Sequence, residues 1–213
     1  MAIIPTTSVK YLGATLDQTL SFTEMAQSLL KKANTRLKFV YRNKQYLTQH
    51  TKTLLVMSFM QCHYEYACSI WYKGLNKVLK NKLQTTQNKL ILFVLDLESR
   101  AHFSKDHFES LNWLPVNSRV DHLTLCHVLS KWRMVFLLNI WENIVFVKMV
   151  FIPIILRLCS KGTFVIPKVK SHRLKSFCYN RCSLWNSLPH TCSNITNLSF
   201  FKVALKQHLL SSF

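Results

Sequence analysis

A mainly α fold is what this sequence predicts, on three observations. Glycine and proline are scarce, three and five among 213 residues, whereas an all-β sandwich or barrel needs a turn breaker every ten residues or so. Apolar residues make up 49% of the chain, enough to bury a core in one domain or two small ones and too many for a disordered polymer. Most of those apolar residues recur every three or four positions, the period of a helix buried on one side. Gly13, Gly74 and Gly162 form neither G-x-G-x-x-G nor G-x-x-x-x-G-K-[ST], so a dinucleotide-binding or P-loop fold is not expected.

Val9 to Asp17 is aromatic and β-branched around one glycine and reads as a short strand ending an upstream sheet. Ser21-Phe22-Thr23-Glu24 has the spacing of a capping box, with a helix expected from Thr23 to Lys44. Its apolar row is Met25, Leu29, Ala33, Leu37 and Val40 or Tyr41, leaving Lys31, Lys32, Arg36, Lys38 and Arg42 on the flanks. Thr48 can cap a second helix to Trp71, with Leu54, Leu55, Phe59, Cys62, Tyr66 and Ile70 inward. Gly74 and Asn76 break it, and a third helix from Asn76 to Leu95 turns Val78, Leu79, Leu83, Leu90, Ile91 and Val94 to the core. Residues 18–96 are thus expected to form a three-helix bundle after a short strand within 1–17, and 97–213 a less regular helical C-terminal region.

In that region a short helix ends at Leu111 to Pro115, since Pro115 forces its predecessor out of the helical conformation. Asn117 can cap the next helix, which carries Val120, Leu123, Leu125, Val128 and Leu129. Met134 to Leu158 has no clean period and reads as a buried helix or two strands. Glu142, Lys148, Pro153 and Arg157 interrupt it, so it does not supply the ~20 apolar residues of a membrane span. Helices are expected again over Ser176 to Leu188 and Asn197 to Leu210.

The net charge is +19, from 28 Lys and Arg against nine acids, which makes polyanions the natural partners. Between Met25 and Leu95 there are twelve cations and one acid, Glu65. An ordinary solvated lysine face carries counter-charges; this one lacks them. Lys73, Lys77, Lys80 and Lys82 read as one helical flank and the turn before it, with Lys89 further along, in the manner of contacts to a phosphate backbone. Tyr41, Tyr46 and Tyr72 either stack on unpaired bases or sit as amphipathic residues at the core edge. Acid–base chemistry by paired carboxylates has little material here, and Cys62, His63 and Glu65 lack a third orienting group for a nucleophile site.

Seven cysteines, an odd number without a recognisable secretory leader, point to an intracellular, reducing compartment. Cys178, Cys182, His190 and Cys192 are zinc-ligand types at a poor spacing, one residue separating the last two, so they make a weak metal candidate.

Taken in order, these segments resemble a known family. Lys10-Tyr11-Leu12-Gly13-x-x-Leu16-Asp17-x-x-Leu20-Ser21-Phe22 resembles the strand that closes the palm of LINE-type non-LTR retrotransposon reverse transcriptases. Lys32-Ala33-Asn34-x-Arg36-Leu37, Gln61 to Cys68, Trp71-Tyr72, Gln87-Asn88-Lys89, Leu111 to Pro115, Phe164 to Pro167 and Leu184 to Pro189 look like the thumb and C-terminal region of the CR1/L2/Jockey-like branch. The succession spans about Val9 to Leu210 with one gap. It implies a helical unit gripping a primer–template duplex, with RNA or an RNA–DNA duplex as partner and no cofactor, small-molecule substrate or membrane. It also implies a polymerase fragment without activity, because the family's catalytic aspartates, including an [FY]-x-D-D turn, belong to an upstream palm and this chain has no Asp-Asp pair. The competing reading is a protein-interaction or structural helical module, or a translated pseudogene without activity.

Two positions depart from the pattern. Glu65 stands where the family usually has Asp, and Lys148 to Leu158 is apolar where the family is polar with a His followed by Thr-Arg. DNA encoding Val-His-Ser-His-Asn-Thr, read one base later, gives the Phe-Ile-Pro-Ile-Ile-Leu found at 151–156. We therefore hypothesise compensating frameshifts bounding about 132–159 in a decayed element copy; an intact in-frame match in homologous elements would remove the idea.

Overall fold

The computed structural model describes residues 7–98, 101, 103–138, 164, 166 and 177–212. It is mainly helical, with a two-stranded antiparallel sheet at its start, and it divides into two compact units, Met1–Asn117 and Ser118–Phe213.

The first unit opens with strands β1 (Ser8–Tyr11) and β2 (Ala14–Asp17), paired in the register Tyr11 to Ala14 and Ser8 to Asp17. The expected strand is therefore folded on itself as a hairpin. Leu12 and Gly13 both have positive φ, 45° and 83°, the signature of a two-residue type I′ turn. Helix α1 (Thr23–Arg42) follows, but the expected capping box does not form. Phe22 at the cap is left-handed, and the Asp17 carboxylate serves in its place, accepting from Ser21 N at 3.0 Å, Phe22 N at 2.8 Å and Thr19 Oγ1 at 2.6 Å. Burial opposes ionisation of Asp17, yet these hydrogen bonds outweigh it and hold the carboxyl well below the usual carboxylate range.

Thr48 caps α2 (Gln49–Val56) as expected, accepting from Thr51 N at 3.3 Å. The chain then widens into a π turn at Met57–Gln61, resumes as α3 (Cys62–Glu65), breaks at left-handed Ala67 and ends as α4 (Cys68–Trp71). The buried row is Lys52, Val56, Met60, Tyr64 and Cys68, not the row through Leu54, Phe59, Cys62, Tyr66 and Ile70, which is exposed. A row at every fourth residue drifts about 40° per step in an α-helix; the underwound π turn cancels part of that drift and keeps the row on one side.

Asn76 caps α5 (Lys77–Val94) by accepting from Leu79 N at 2.9 Å. Leu79, Leu83, Leu90, Ile91 and Val94 are buried as expected, while Val78 is exposed. Gly74 is a close-approach glycine: a Cβ there would meet Leu20 O at 2.9 Å and Phe22 Cδ2 at 3.0 Å. After α6 (Asp106–Ser110) the chain reverses at left-handed Asn112, burying Trp113, Leu114 and Pro115. Buried Gln87 donates to Leu114 O at 2.8 Å, and Gln84 Oε1 accepts from Val116 N at 3.0 Å, so Gln84 rather than Asn117 serves the start of α7 (Val116–Leu138).

The second unit is built from α7, α8 (Phe177–Asn186), α9 (His190–Ser193) and α10 (Leu198–Ser211), the last capped by Asn197. Leu125, Leu129, Phe164, Cys182, Trp185, Phe201 and Leu205 form its core. Trp185 stacks on Phe201 with centroids 6.0 Å apart and meets Phe164 edge-on at 5.9 Å. Asn186 clasps the Phe164 backbone with two bonds of 2.8 Å, so two of the segments that carry the family resemblance meet in one cluster. The segment read as frameshifted lies, beyond Leu138, outside the described residues. Among the described residues no helix is long and apolar enough to cross a membrane.

Candidate nucleic-acid interface

A helix turns about 100° per residue, which divides the cations of α1 between two flanks. With Met25, Ala26, Leu30, Ala33, Leu37 and Val40 inward, Lys31, Lys38 and Arg42 fall on one side and Lys32 and Arg36 on the other. The first side borders α5. Asn34, Leu37, Lys38, Tyr41, Arg42 and Lys89 line a groove of about 590 Å³ between the two helices.

The two helices run parallel there. Lys38 shares the groove with Lys89, the Tyr41 ring lies 5.0 Å from Phe93, and Lys44 reaches Asp96 at 3.3 Å, each step rising in both helices together. Lys31 and Lys82 lie seven residues before Lys38 and Lys89, two turns back on the same faces. The groove rim therefore carries two ranks of cations, Lys31 with Lys82 and Lys38 with Lys89, about 10 Å apart along the axes, with Arg42 beyond the second. All five are exposed.

Among the described residues none of these five has an ion-pair partner within 4.0 Å; Lys44 and Lys52 pair instead with Asp96, and Lys105 with Glu109. Two acids of this unit are occupied by structure. Asp17 caps α1, and Asp96, left-handed just past α5, binds the buried Lys52 ammonium at 2.5 and 2.7 Å. The Lys52 hydrogen bond, aided by Lys44, keeps the Asp96 carboxyl below its ordinary range although partial burial opposes this.

The other predicted cations separate from the groove. On α5, Lys82 sits roughly 160° around from Lys80, so Lys73, Lys77, Lys80 and Lys82 do not form one flank. Lys73 Nζ reaches Asn117 Oδ1 at 3.3 Å, and Lys80 Nζ lies 5.4 Å over the buried Tyr72 ring, which removes Tyr72 from any base-stacking role. Tyr46 is exposed and Tyr41 edges the groove. Arg36 donates to Phe59 O; burial first, and then Arg36 and Lys32, hold His63 below the ordinary histidine range. Cys62 donates to Ser58 O at 2.7 Å and Glu65 accepts from Gln61 at 2.9 Å, so no nucleophile is poised beside His63.

Cys182 and Cys192 are buried while His190 is exposed, and the side chain of Cys178 lies outside the described residues. Among the described residues no three His, Cys, Asp or Glu side chains converge as a metal ion requires. The sequence signal for the groove lay in Lys38 and Lys89; Arg42 and Asn34 join them because α1 and α5 are neighbours, which no local pattern states. Compared with family models, curated proteins and solved structures, the chain matches none.

Proposed function

We propose that the first unit grips the sugar–phosphate backbone of RNA or an RNA–DNA duplex, as the non-catalytic, thumb-like part of a LINE-type reverse transcriptase. The observation that carries the reading is the double rank Lys31, Lys82, Lys38 and Lys89 with Arg42, exposed and without carboxylate partners among the described residues. Exposed ammonium groups at regular helical spacing hold phosphates without reading bases. The absence of an Asp-Asp pair from the sequence supports a gripping rather than a polymerising role.

Filter binding of a duplex at two salt concentrations tests it. Each phosphate neutralised contributes about 0.7 to 0.9 to the slope of log K against log salt. Reversing Lys31, Lys38, Lys82 and Lys89 to Glu should weaken binding by well over tenfold and flatten that slope by about three. Unchanged binding refutes the proposal. The exposed apolar row Leu54, Phe59, Tyr66 and Ile70 favours the second reading, a protein-interaction module, which predicts no steep salt dependence.

A further inference from the structure

Beneath its rim of cations, the α1–α5 groove has an aromatic floor. In steps of about 40° or less around α1, the order from core to solvent is Leu37, Tyr41, Asn34 and Lys38. Leu37 is buried, Tyr41 half-buried, and Asn34 and Lys38 exposed; all four line the groove, with Arg42 beside them and Lys89 opposite on α5. The Tyr41 ring packs on the buried ring of Phe93, centroids 5.0 Å apart and planes at 56°, so α5 backs it while it still borders the groove. Lys38 and Arg42 stand one turn apart on α1, about 6 Å along the axis, with Tyr41 between them in the chain. Burial pushes the Tyr41 phenol above its ordinary value, so the ring stays neutral beside the cations.

We propose that this groove holds one unpaired nucleotide of a single strand, its base stacked on Tyr41 and its flanking phosphates held by Lys38, Lys89 and Arg42. The proposal rests on the reading of the groove as a nucleic-acid interface and adds the kind of strand the groove takes. A rim of cations alone suits any phosphate backbone, double or single. A ring set deeper than those cations serves only a base that has left its partner, because paired bases are turned inward behind their phosphates. The groove, about 590 Å³, falls within the ~300–1,000 Å³ of sites that enclose small ligands, so a base fits below the rim. Every base has a π face, and the Asn34 amide can turn either its donor or its acceptor to a base edge, so the slot accepts any sequence.

The test uses the full chain and an RNA strand carrying one 2-aminopurine, either free or annealed to its complement. Emission of this base falls when it stacks on a ring, so binding should quench the free strand and leave the annealed one, held by the rim, without that loss. Tyr41→Leu, with helicity checked by circular dichroism, should weaken single-strand binding by about tenfold, as removal of one base–aromatic stack does, and duplex binding much less. Tyr41→Phe keeps the ring and should restore the quenching. Equal weakening toward both forms shows that the ring only supports α1 and overturns the proposal; so does single-strand binding by Tyr41→Leu as tight as before. In both of those outcomes the steep salt dependence of the unaltered chain persists and the groove reading stands. If neither form binds with steep salt dependence, the groove reading fails and this proposal fails with it. A measurement on the unaltered chain guards against misfolding of the variant: a strand with 4-thiouridine in place of 2-aminopurine, irradiated in the complex, should crosslink to Tyr41 as mapped by peptide mass spectrometry. Crosslinks confined to other residues overturn the proposal.

Discussion

In the first unit fifteen Lys and Arg face seven acids, and the exposed cations line up along helix flanks, whereas the second unit has thirteen against two and half-buries one of its cations, Lys206. The difference lies in what each arrangement costs the folded chain. An exposed lysine on α1 or α5 stays hydrated, costs little to keep and is screened within about 10 Å at ordinary salt. A half-buried lysine beside an arginine has lost part of that hydration and gains more when an anion arrives. Net charge says that a polyanion is attracted; the burial around each cation says what it costs to keep that cation charged.

Three changes sharpen or break the contrast between the units. The largest effect is expected from Trp185→Ala, which removes the ring shared by Phe164 and Phe201; a loss of about 3–5 kcal/mol is typical for a buried aromatic. Hydrogen exchange should accelerate across α7, α8 and α10 and stay slow in α1 and α5. Equal acceleration in both units would show that they unfold as one. Smaller, and confined to the first unit, is Asp96→Asn. It leaves the Lys52 ammonium, 3% exposed, without its carboxylate and should cost about 2 kcal/mol in urea denaturation, moderated because Asp96 is itself half exposed. If stability is unchanged, the ion pair is ornamental.

The smallest effect concerns acid. His122 is folded with its affinity for protons lowered, so below an unfolded value near 6.5 the unfolded chain takes up the proton first and stability falls as pH falls. Above that value the contribution is flat. The loss cannot exceed about 1.4 kcal/mol per pH unit for one group. His122→Gln should remove this component from the slope of the urea midpoint between pH 7 and 5; a slope that survives unchanged assigns the acid sensitivity to other groups, His63 among them.

Much of the first unit was legible because helix caps and apolar rows are local. Thr48 and Asn76 cap where their side chains and the following apolar residues say they should, and α1 and α5 begin and end within two residues of expectation. The helix after Thr48 was misread at the point where locality ends. It is apolar on two sides, and the choice between them is made by Asp96, 44 residues away, which gives Lys52 a reason to be inside. Asp17 displaced the capping box because the turn closed by Leu20 N on the Asp17 carbonyl brings Ser21 N and Phe22 N, just before α1, onto its carboxylate. The groove was half legible: lysine spacing identified Lys31, Lys38 and Lys89, but their meeting required α1 and α5 to lie side by side. The tie between α7 and α10 was invisible, since His122 and the Lys202 carbonyl that it meets are 80 residues apart in sequence.

The parallel course of α1 and α5 has one more consequence. Each helix carries roughly half a unit of negative charge at its carboxyl end, and in neighbours that run the same way these partial charges add instead of cancelling. Lys44 and the buried Lys52 stand at that shared pole, so an ammonium group inside the core here answers a field that the backbone itself creates. At the opposite pole the two helices differ: α1 has Glu24 in its first turn, whereas α5 begins beside Lys77 with no acid there and relies on the neutral Asn76 cap.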